Sequence, residues 1–306
     1  MLILIGGGGF LGSHLRRRLS AKGAPEVVVV ADNELPFPLM AHETQIGRQS
    51  FAGDIGKGLI GRATIIVYLA TASTVATFVD APWNELHSNV DPLIRLLYRV
   101  QETAATCKVV FVSSGGTVYG RTNCSTPIPE THPLQPISPY GFGKVVQEEA
   151  FAFFSRTNGL HYSILRLANP VGVFGRSHTQ GLVTAALRAV ASQTPLKLFG
   201  DGSHIRDLFD ADDAAEAILS AASDQKFGAA VWNVGSGQGL SNMQVIEMVQ
   251  RVTGVEVSLD RQPAREADVS SIVLDTSRIR ADLGWTAARD LEETIEEIWQ
   301  QIFRVK

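Results

Sequence analysis

The chain has 306 residues, 45% of them hydrophobic, a net charge of -4 and two cysteines. That length and apolar share suffice for a substantial core in one large or two smaller domains, while the weak acidic balance leaves no basic footprint for nucleic acid and no polybasic segment for an anionic membrane. Cys107 and Cys124 stand in no CxxC or Cys/His zinc spacing, so two reduced, structurally minor thiols and no metal site are expected. The opening "MLILIGGGGF" lacks a charged n-region and its apolar run is too short for a signal peptide; no apolar run reaches the length of a membrane span. A soluble cytoplasmic protein, with no nucleic-acid or membrane partner, is the expectation.

Short runs rich in Val, Ile and Leu alternate with longer helical patterns along the chain. "LILI" at 2–5 leads into "FLGSHLRRRLSAKG", and "VVVV" at 27–30 follows. "TIIVYLA" at 64–70 precedes a long helical stretch, "KVVFVSS" at 108–114 precedes a loop and a second long helix, and "YSILRLA" at 162–168 closes the series. Continuous apolar strands between helices predict an α/β fold, a doubly wound, Rossmann-like parallel sheet covered on both faces. Five prolines between Cys124 and Tyr140 predict a semi-rigid loop there. Beyond Asn169 the pattern changes: "LVTAALRAVASQ" reads as helix, "LKLF" as strand, "GDGSHIRD" as turn, and "SNMQVIEMVQRVTG" and "DLEETIEEIWQQIF" as helices. The expected organisation is a dinucleotide-binding domain over 1–169, with 208–235 returning to it, and a smaller, helix-rich substrate region formed by 170–207 and 236–306.

The first strand-to-helix junction carries the strongest local signal. Gly6, Gly9 and Gly12 satisfy GxxGxxG, and Gly7, Gly9 and Gly12 satisfy GxGxxG. Glycine permits the tight turn and lets backbone amides approach a pyrophosphate, while the dipole of the helix that starts at Phe10 and Leu11 favours the anion. Asp32 follows twenty residues after Gly12, at the end of "VVVV", where an acidic side chain hydrogen-bonds a ribose diol. A carboxylate there repels a 2′-phosphate, and Asn33 and Glu34 bring no compensating cation, so NAD is expected rather than NADP. "GDI" at 53–55 places Asp54 and Ile55 either against the adenine or in a surface turn.

"SPYGFGK" sets Tyr140 and Lys144 four residues apart at a helix start, on one face. A free phenol with a pKa of about 10 is a poor base at neutral pH; a neighbouring ammonium, joined by an oxidised nicotinamide, favours its ionised form. Tyr140 is then the expected base for a sugar hydroxyl whose carbon gives up hydride. His14 and His204 read as structural or solvated. Asp212 and Asp213 read as helix-start caps, and "LRRRL" at 15–19 as a charged helix face.

Taken in order, "GGGGFLGSH", "VADN", "GDI", "NELHSNV", "FVSSGGTVYG", "SPYGFGK", "RLANPVG", "FGDGSHIRDLFDADD" and "PAREAD" resemble an extended short-chain dehydrogenase/reductase. More narrowly, they resemble the NAD-dependent epimerase/dehydratase family acting on nucleotide sugars, with UDP-glucose 4-epimerases as the nearest familiar type. The resemblance covers nearly the whole chain. It implies Tyr140 and Lys144 as catalytic residues, with a third hydroxyl before "VYG". The usual position of that hydroxyl falls on Gly115, leaving Ser114 or Thr117 to serve, with Thr117 slightly preferred. Gly143 also departs from the family, which usually has Ser or Thr there. The resemblance further implies Ala70, Asn89 and Ser113 beside the cofactor. It implies Asn169, Arg206 and Arg265 at the substrate diphosphate, for which guanidinium groups suit bidentate contacts, and Leu196 and Phe199 as walls of the base site. Family members that eliminate water carry an acidic residue after the catalytic hydroxyl; this chain reads Gly115-Gly116-Thr117. Epimerisation therefore leads, ahead of a reductase or dehydratase-like reaction and of a non-catalytic NAD sensor. A homodimer joined through helices at 83–105 and 138–158 is expected by the same resemblance.

Overall fold

The computed structural model describes residues 1–21, 25–103, 106–122, 127–174, 181–264 and 269–303. Strand β1 (Leu2–Ile5) is wholly buried and runs into α1 (Phe10–Ala21). Next come β2 (Val27–Val30), β3 (Glu43–Ile46), the short α2 (Arg48–Ala52), α3 (Asp54–Arg62) and β4 (Ile65–Tyr68). A helical stretch follows, made of α4 (Trp83–Glu85), one π-helical turn (Leu86–Val90) and α5 (Asp91–Glu102). Strand β5 (Lys108–Ser114) leads to a single turn, α6 (Gly115–Val118), then α7 (Pro139–Asn158) and β6 (Tyr162–Leu167).

The remaining strands are β7 (Asn169–Val171), β8 (Leu196–Phe199), β9 (Ile205–Asp210), β10 (Ala229–Val234), β11 (Gly239–Ser241), β12 (Leu259–Gln262) and β13 (Ser271–Ile272). Between and after them lie helices α8 (Leu182–Ser192), α9 (Ala211–Ser223), α10 (Asn242–Thr253), α11 (Ser277–Leu283) and α12 (Leu291–Ile298).

Seven strands form one sheet in the order β10-β6-β5-β4-β1-β2-β3, and every pairing in it is parallel. The strand order reverses between β1 and β4, with Ile5 beside Val30 on one side and Tyr68 on the other. In a doubly wound sheet, that reversal opens a crevice at the carboxyl ends of the strands. Side chains alternate between faces with period two. Leu2, Leu4, Val27 and Val29 pack under α1 and α9, together with Leu15 and Ile218. Ile3, Ile5, Val28 and Val30 pack under α5 and α7, together with Leu97 and Phe151. The doubly wound expectation holds, and "AAVWNV" supplies the outermost strand beyond β6.

A separate apolar cluster, built on Val183, Leu187, Leu198, Val245 and Ile295, supports the C-terminal helices. It carries two small sheets, β11-β9-β13 with β7 on β9, and β12-β8. "GDGSHIRD" is a turn only in its first half, because Ile205 begins β9. Asp210, rather than Asp212 or Asp213, caps α9 by accepting from the Asp212 amide at 2.6 Å. Asp212 instead pairs with His14 Nδ1 at 2.6 Å and Arg17 at 2.6 Å, and Asp213 accepts from the amides of Ala288 and Arg289, each at 2.9 Å. His14 is thus a buried structural residue tying α1 to α9.

Candidate active site

The crevice at the reversal point is a cavity of about 1520 Å³, larger than the roughly 300–1,000 Å³ typical of a site for one small ligand. One end is the glycine loop between β1 and α1. Gly6 adopts φ +89°, and a Cβ there would stand 2.8 Å from the Ala70 amide nitrogen. A Cβ on Gly12 would stand 2.5 Å from the Gly6 carbonyl oxygen, so any larger residue forces α1 away from the turn. The cradle keeps Gly8, Gly9, Phe10 and Leu11 on the cavity wall, where the amides of the first helical turn face an incoming anion. These residues fit the pyrophosphate of a dinucleotide.

Asp32 lies on the same wall at the end of β2, with Asn33 beside it. The expectation that no cation accompanies Asp32 does not hold. Its carboxylate accepts from the Arg48 backbone amide at 2.6 Å and from Arg48 Nε. This pairing, led by the side-chain bond, holds the carboxyl below the usual range. Arg48 and Gln49 follow β3 directly and line the cavity, whereas Asp54 and Ile55, at the start of α3, are exposed and off its wall. Neither alternative for "GDI" describes them: Asp54 and Ile55 form the exposed first turn of α3.

The other end carries Tyr140, partly exposed on the cavity wall next to Ser114 and Thr117. Its helix starts where the sequence puts it. Ser138 caps α7 by accepting from the Gly141 amide at 3.1 Å, Pro139 takes a first-turn position, and Gly159 ends the helix at φ 69°. The Ser114 hydroxyl is near enough to the Tyr140 phenol to pull its pKa down. Thr117 donates only a long 3.4 Å bond to the Ser114 carbonyl. Gly115 has no room for the hydroxyl of the usual pattern, since a Cβ would meet Leu274 Cδ1 at 2.5 Å.

Lys144 is buried behind Tyr140. Its Nζ donates to the Val112 carbonyl at 2.9 Å and lies 4.7 Å from the Phe111 ring centroid and 5.7 Å from that of Tyr140. Burial lowers its pKa to about 8, against the pull of Glu85 and Glu148. Burial likewise pushes the Tyr140 phenol up to about 12, offset in part by Ser114 and reinforced by Glu85. The protein alone therefore does not acidify the phenol; desolvation outweighs the pull of Ser114. At neutral pH Tyr140 is a neutral hydrogen-bonding group until another positive charge arrives.

Asn89 lines the cavity from the π-helical turn. Its Oδ1 accepts from the Ala72 amide at 2.7 Å, and its Nδ2 donates to Ser73 and to Glu85 Oε1 at 2.8 and 2.9 Å. Those bonds fix the wall formed by Ala70 to Thr74. Asn169, Phe199 and Arg206 also line the cavity, with Asn169 Nδ2 anchored on the Asp207 carbonyl at 3.0 Å. Two further expected contacts are off the wall. Ser113 points into the sheet's far side and donates to Glu148 at 2.5 Å, within a buried pair with Arg166. Leu196 is buried in the C-terminal core, and its neighbours Lys197, Leu198 and Phe199 face the cavity instead. Arg265 and Cys124 lie outside the described residues. Arg48, Gln49 and Glu85 escaped the sequence reading. A third strand recognised at 43–46 would have pointed to the first two.

The model of the NAD-dependent epimerase/dehydratase family matches residues 2–235. This chain belongs to that family. NAD is accordingly its cofactor, supplying a hydride acceptor that returns the hydride in the reverse step. A UDP-glucose 4-epimerase of Streptococcus mutans is 28% identical over 97% of this chain and 95% of that protein. Among solved structures, a UDP-glucose 4-epimerase of Thermotoga maritima with UDP-glucose is 30% identical and superposes with a TM-score of 0.86, covering 98% of both chains. The Thermus thermophilus UDP-glucose 4-epimerase complex with NAD is 26% identical, TM-score 0.87, covering 100% of this chain and 99% of that one.

Proposed function

We propose that this protein interconverts the C4 epimers of a UDP-sugar with NAD held in the crevice. One observation carries the reading: the Tyr140 phenol, with Ser114 beside it, stands on the wall of the same cavity that begins at the glycine loop. Tyr140 Oη takes the proton of the C4 hydroxyl and returns it to the C4 oxygen after the keto-sugar has turned. Ser114 donates to the same oxygen, and Lys144 contributes positive charge from behind the ring. Asn169 and Arg206 hold the diphosphate, so the sugar pivots while the nucleotide stays anchored. Elimination of water would need an acid beside the reacting carbon. The described cavity wall includes two carboxylates, Asp32 and Asp91, and neither lies on the Ser114–Thr117 segment. A reductase or dehydratase-like reaction is disfavoured on that ground.

The same reading divides the chain into an NAD-binding body, 1–169 with 208–235, and a sugar-nucleotide region, 170–207 with 236–306. The exposed Trp83, Ile94 and Tyr98 on the first long helical stretch, and Phe142 and Phe153 on α7, support a homodimer closed through these helices. Among the described residues, no helix is long and apolar enough to cross a membrane; we place the protein in the cytoplasm. The test is to incubate purified protein with UDP-glucose and UDP-N-acetylglucosamine and follow the C4 epimer by NMR. Epimer formation without net NADH supports the proposal. NADH consumption tied to a deoxy-sugar, or inertness toward both sugars with NAD bound, would overturn it.

A further inference from the structure

Gly143 and Glu85 together hold a feature that the epimerase reading leaves unexplained. Glu85 is 1% exposed, on the helical stretch that crosses the start of α7. Its Oε1 accepts from Asn89 Nδ2 at 2.9 Å, while Oε2 is buried with no hydrogen-bond partner among the described residues. A buried carboxylate oxygen without a partner is costly and calls for a compensating cation. A Cβ built on Gly143 would stand 2.5 Å from Glu85 Cγ and 2.6 Å from Oε1. The carboxylate thus fills the space that a Ser or Thr side chain would take, immediately before Lys144 and three residues after Tyr140.

The charges around this point identify its partner. On α7 the titratable groups near Glu85 are Tyr140 and Lys144, with Glu148 one turn further on. Glu148 is already committed to Arg166, at 2.6 Å, and to the Ser113 hydroxyl at 2.5 Å. Lys144 has the Val112 carbonyl and an aromatic face, but no carboxylate within ion-pair distance among the described residues. On its own segment Glu85 meets Asn89, a neutral amide.

We propose that Glu85 is a positioning residue of the active site, the buried negative charge that balances Lys144 beneath Tyr140, and that Gly143 is glycine in order to house it. The two positions form one compensated unit, in which a hydroxyl side chain on α7 is exchanged for a carboxylate from the neighbouring helix. Through Asn89 the same carboxylate fixes the cavity wall at Ala72, so it couples the proton-handling pair to the cofactor side. Removing the negative charge disfavours the ammonium of Lys144 and eases ionisation of Tyr140.

This proposal rests on Tyr140 and Lys144 being the proton-handling pair, and its test has a readout separate from turnover. Glu85→Gln keeps an oxygen for Asn89 and deletes the charge. The Lys144 ammonium is titrated by NMR in protein carrying 13C at the lysine ε-carbon, with the signal assigned through Lys144→Met. The expected result is a midpoint in Glu85→Gln about one pH unit below that of the wild type, with the alkaline limb of kcat/KM moving the same way. Gly143→Ser is expected to lower both thermal stability and turnover, and Glu85→Ala in that background to restore stability. An unchanged Lys144 midpoint in folded Glu85→Gln would overturn the proposal, as would a Gly143→Ser variant with wild-type stability. If Glu85→Gln does not fold, the serine pair decides: restoration by Glu85→Ala supports the unit, and no restoration refutes it. A wild-type protein inert toward every UDP-sugar would sink the epimerase reading, while the lysine titration would still report on Glu85.

Discussion

Lys144→Met should make the protein more stable while abolishing its chemistry. Lys144 is 4% exposed, and burial takes its pKa from 10.5 to about 8. Each unit corresponds to about 1.4 kcal/mol, so holding the ammonium in the folded state at pH 7 costs about 3 kcal/mol relative to the unfolded chain. Methionine keeps the stem and its packing, and forfeits one hydrogen bond to Val112, worth about 1 kcal/mol. The net expectation is a gain of about 2 kcal/mol, or a rise in Tm of about 3 °C for a chain of this length. The pH dependence gives the sharper signature. Between pH 8 and 10.5 the unfolded lysine keeps its proton and the folded one has lost it, so wild-type stability rises with pH through that window. Below pH 8 the penalty is present in full. Scanning calorimetry of NAD-free protein from pH 7 to 10 should show that rise in the wild type and lose it in Lys144→Met. A variant less stable than wild type at pH 7, with the same pH slope, would refute the reasoning.

Tyr140→Phe should lower turnover by about 10²–10⁴-fold, the range of a lost acid–base group, while NAD stays bound as judged by its absorbance in the purified protein. Gly12→Ala should lose NAD retention and about 1–3 kcal/mol of stability in denaturant titrations, because its methyl meets the Gly6 carbonyl at 2.5 Å. Arg48→Ala should leave NAD affinity within about fivefold, given how little exposed ion pairs contribute. Calorimetric titration should show NADP weakened more, since the cation facing a 2′-phosphate beside Asp32 is gone. Tyr98→Glu with Phe153→Glu should convert the proposed dimer to a monomer by sedimentation, as it places charge among the exposed apolar side chains of α5 and α7.

Much of the sheet was legible because strands buried on both faces must be apolar throughout, as "LILI" and "VVVV" are. The outer strand β3 was not, since Glu-Thr-Gln-Ile faces solvent in part and needs no continuous apolar run. That omission hid the cavity wall on this side: "GDI" offers Asp54 and Ile55 as adenine contacts or a surface turn, whereas Arg48 and Gln49 follow the true strand end and line the cavity. The Tyr140 and Lys144 spacing survives folding because helix geometry fixes it locally. The choice between Ser114 and Thr117 depends on how β5 runs into α6, which no local spacing encodes. Ser113 misled for a related reason: one residue along a strand reverses the face, so Ser114 meets the cavity and Ser113 meets Glu148. Glu85 was invisible to pattern because its significance lies in a gap on another helix, at Gly143.

The most direct test of the central claim follows the hydrogen at C4. UDP-glucose carrying deuterium at C4 is incubated with the NAD-loaded protein, and the epimer is examined by NMR and mass spectrometry. Removal and return of one hydride within a single closed site predicts that the product keeps the deuterium at C4 with inverted configuration. An epimer that has lost the deuterium to solvent, or conversion accompanied by its appearance in free NADH, would contradict the account.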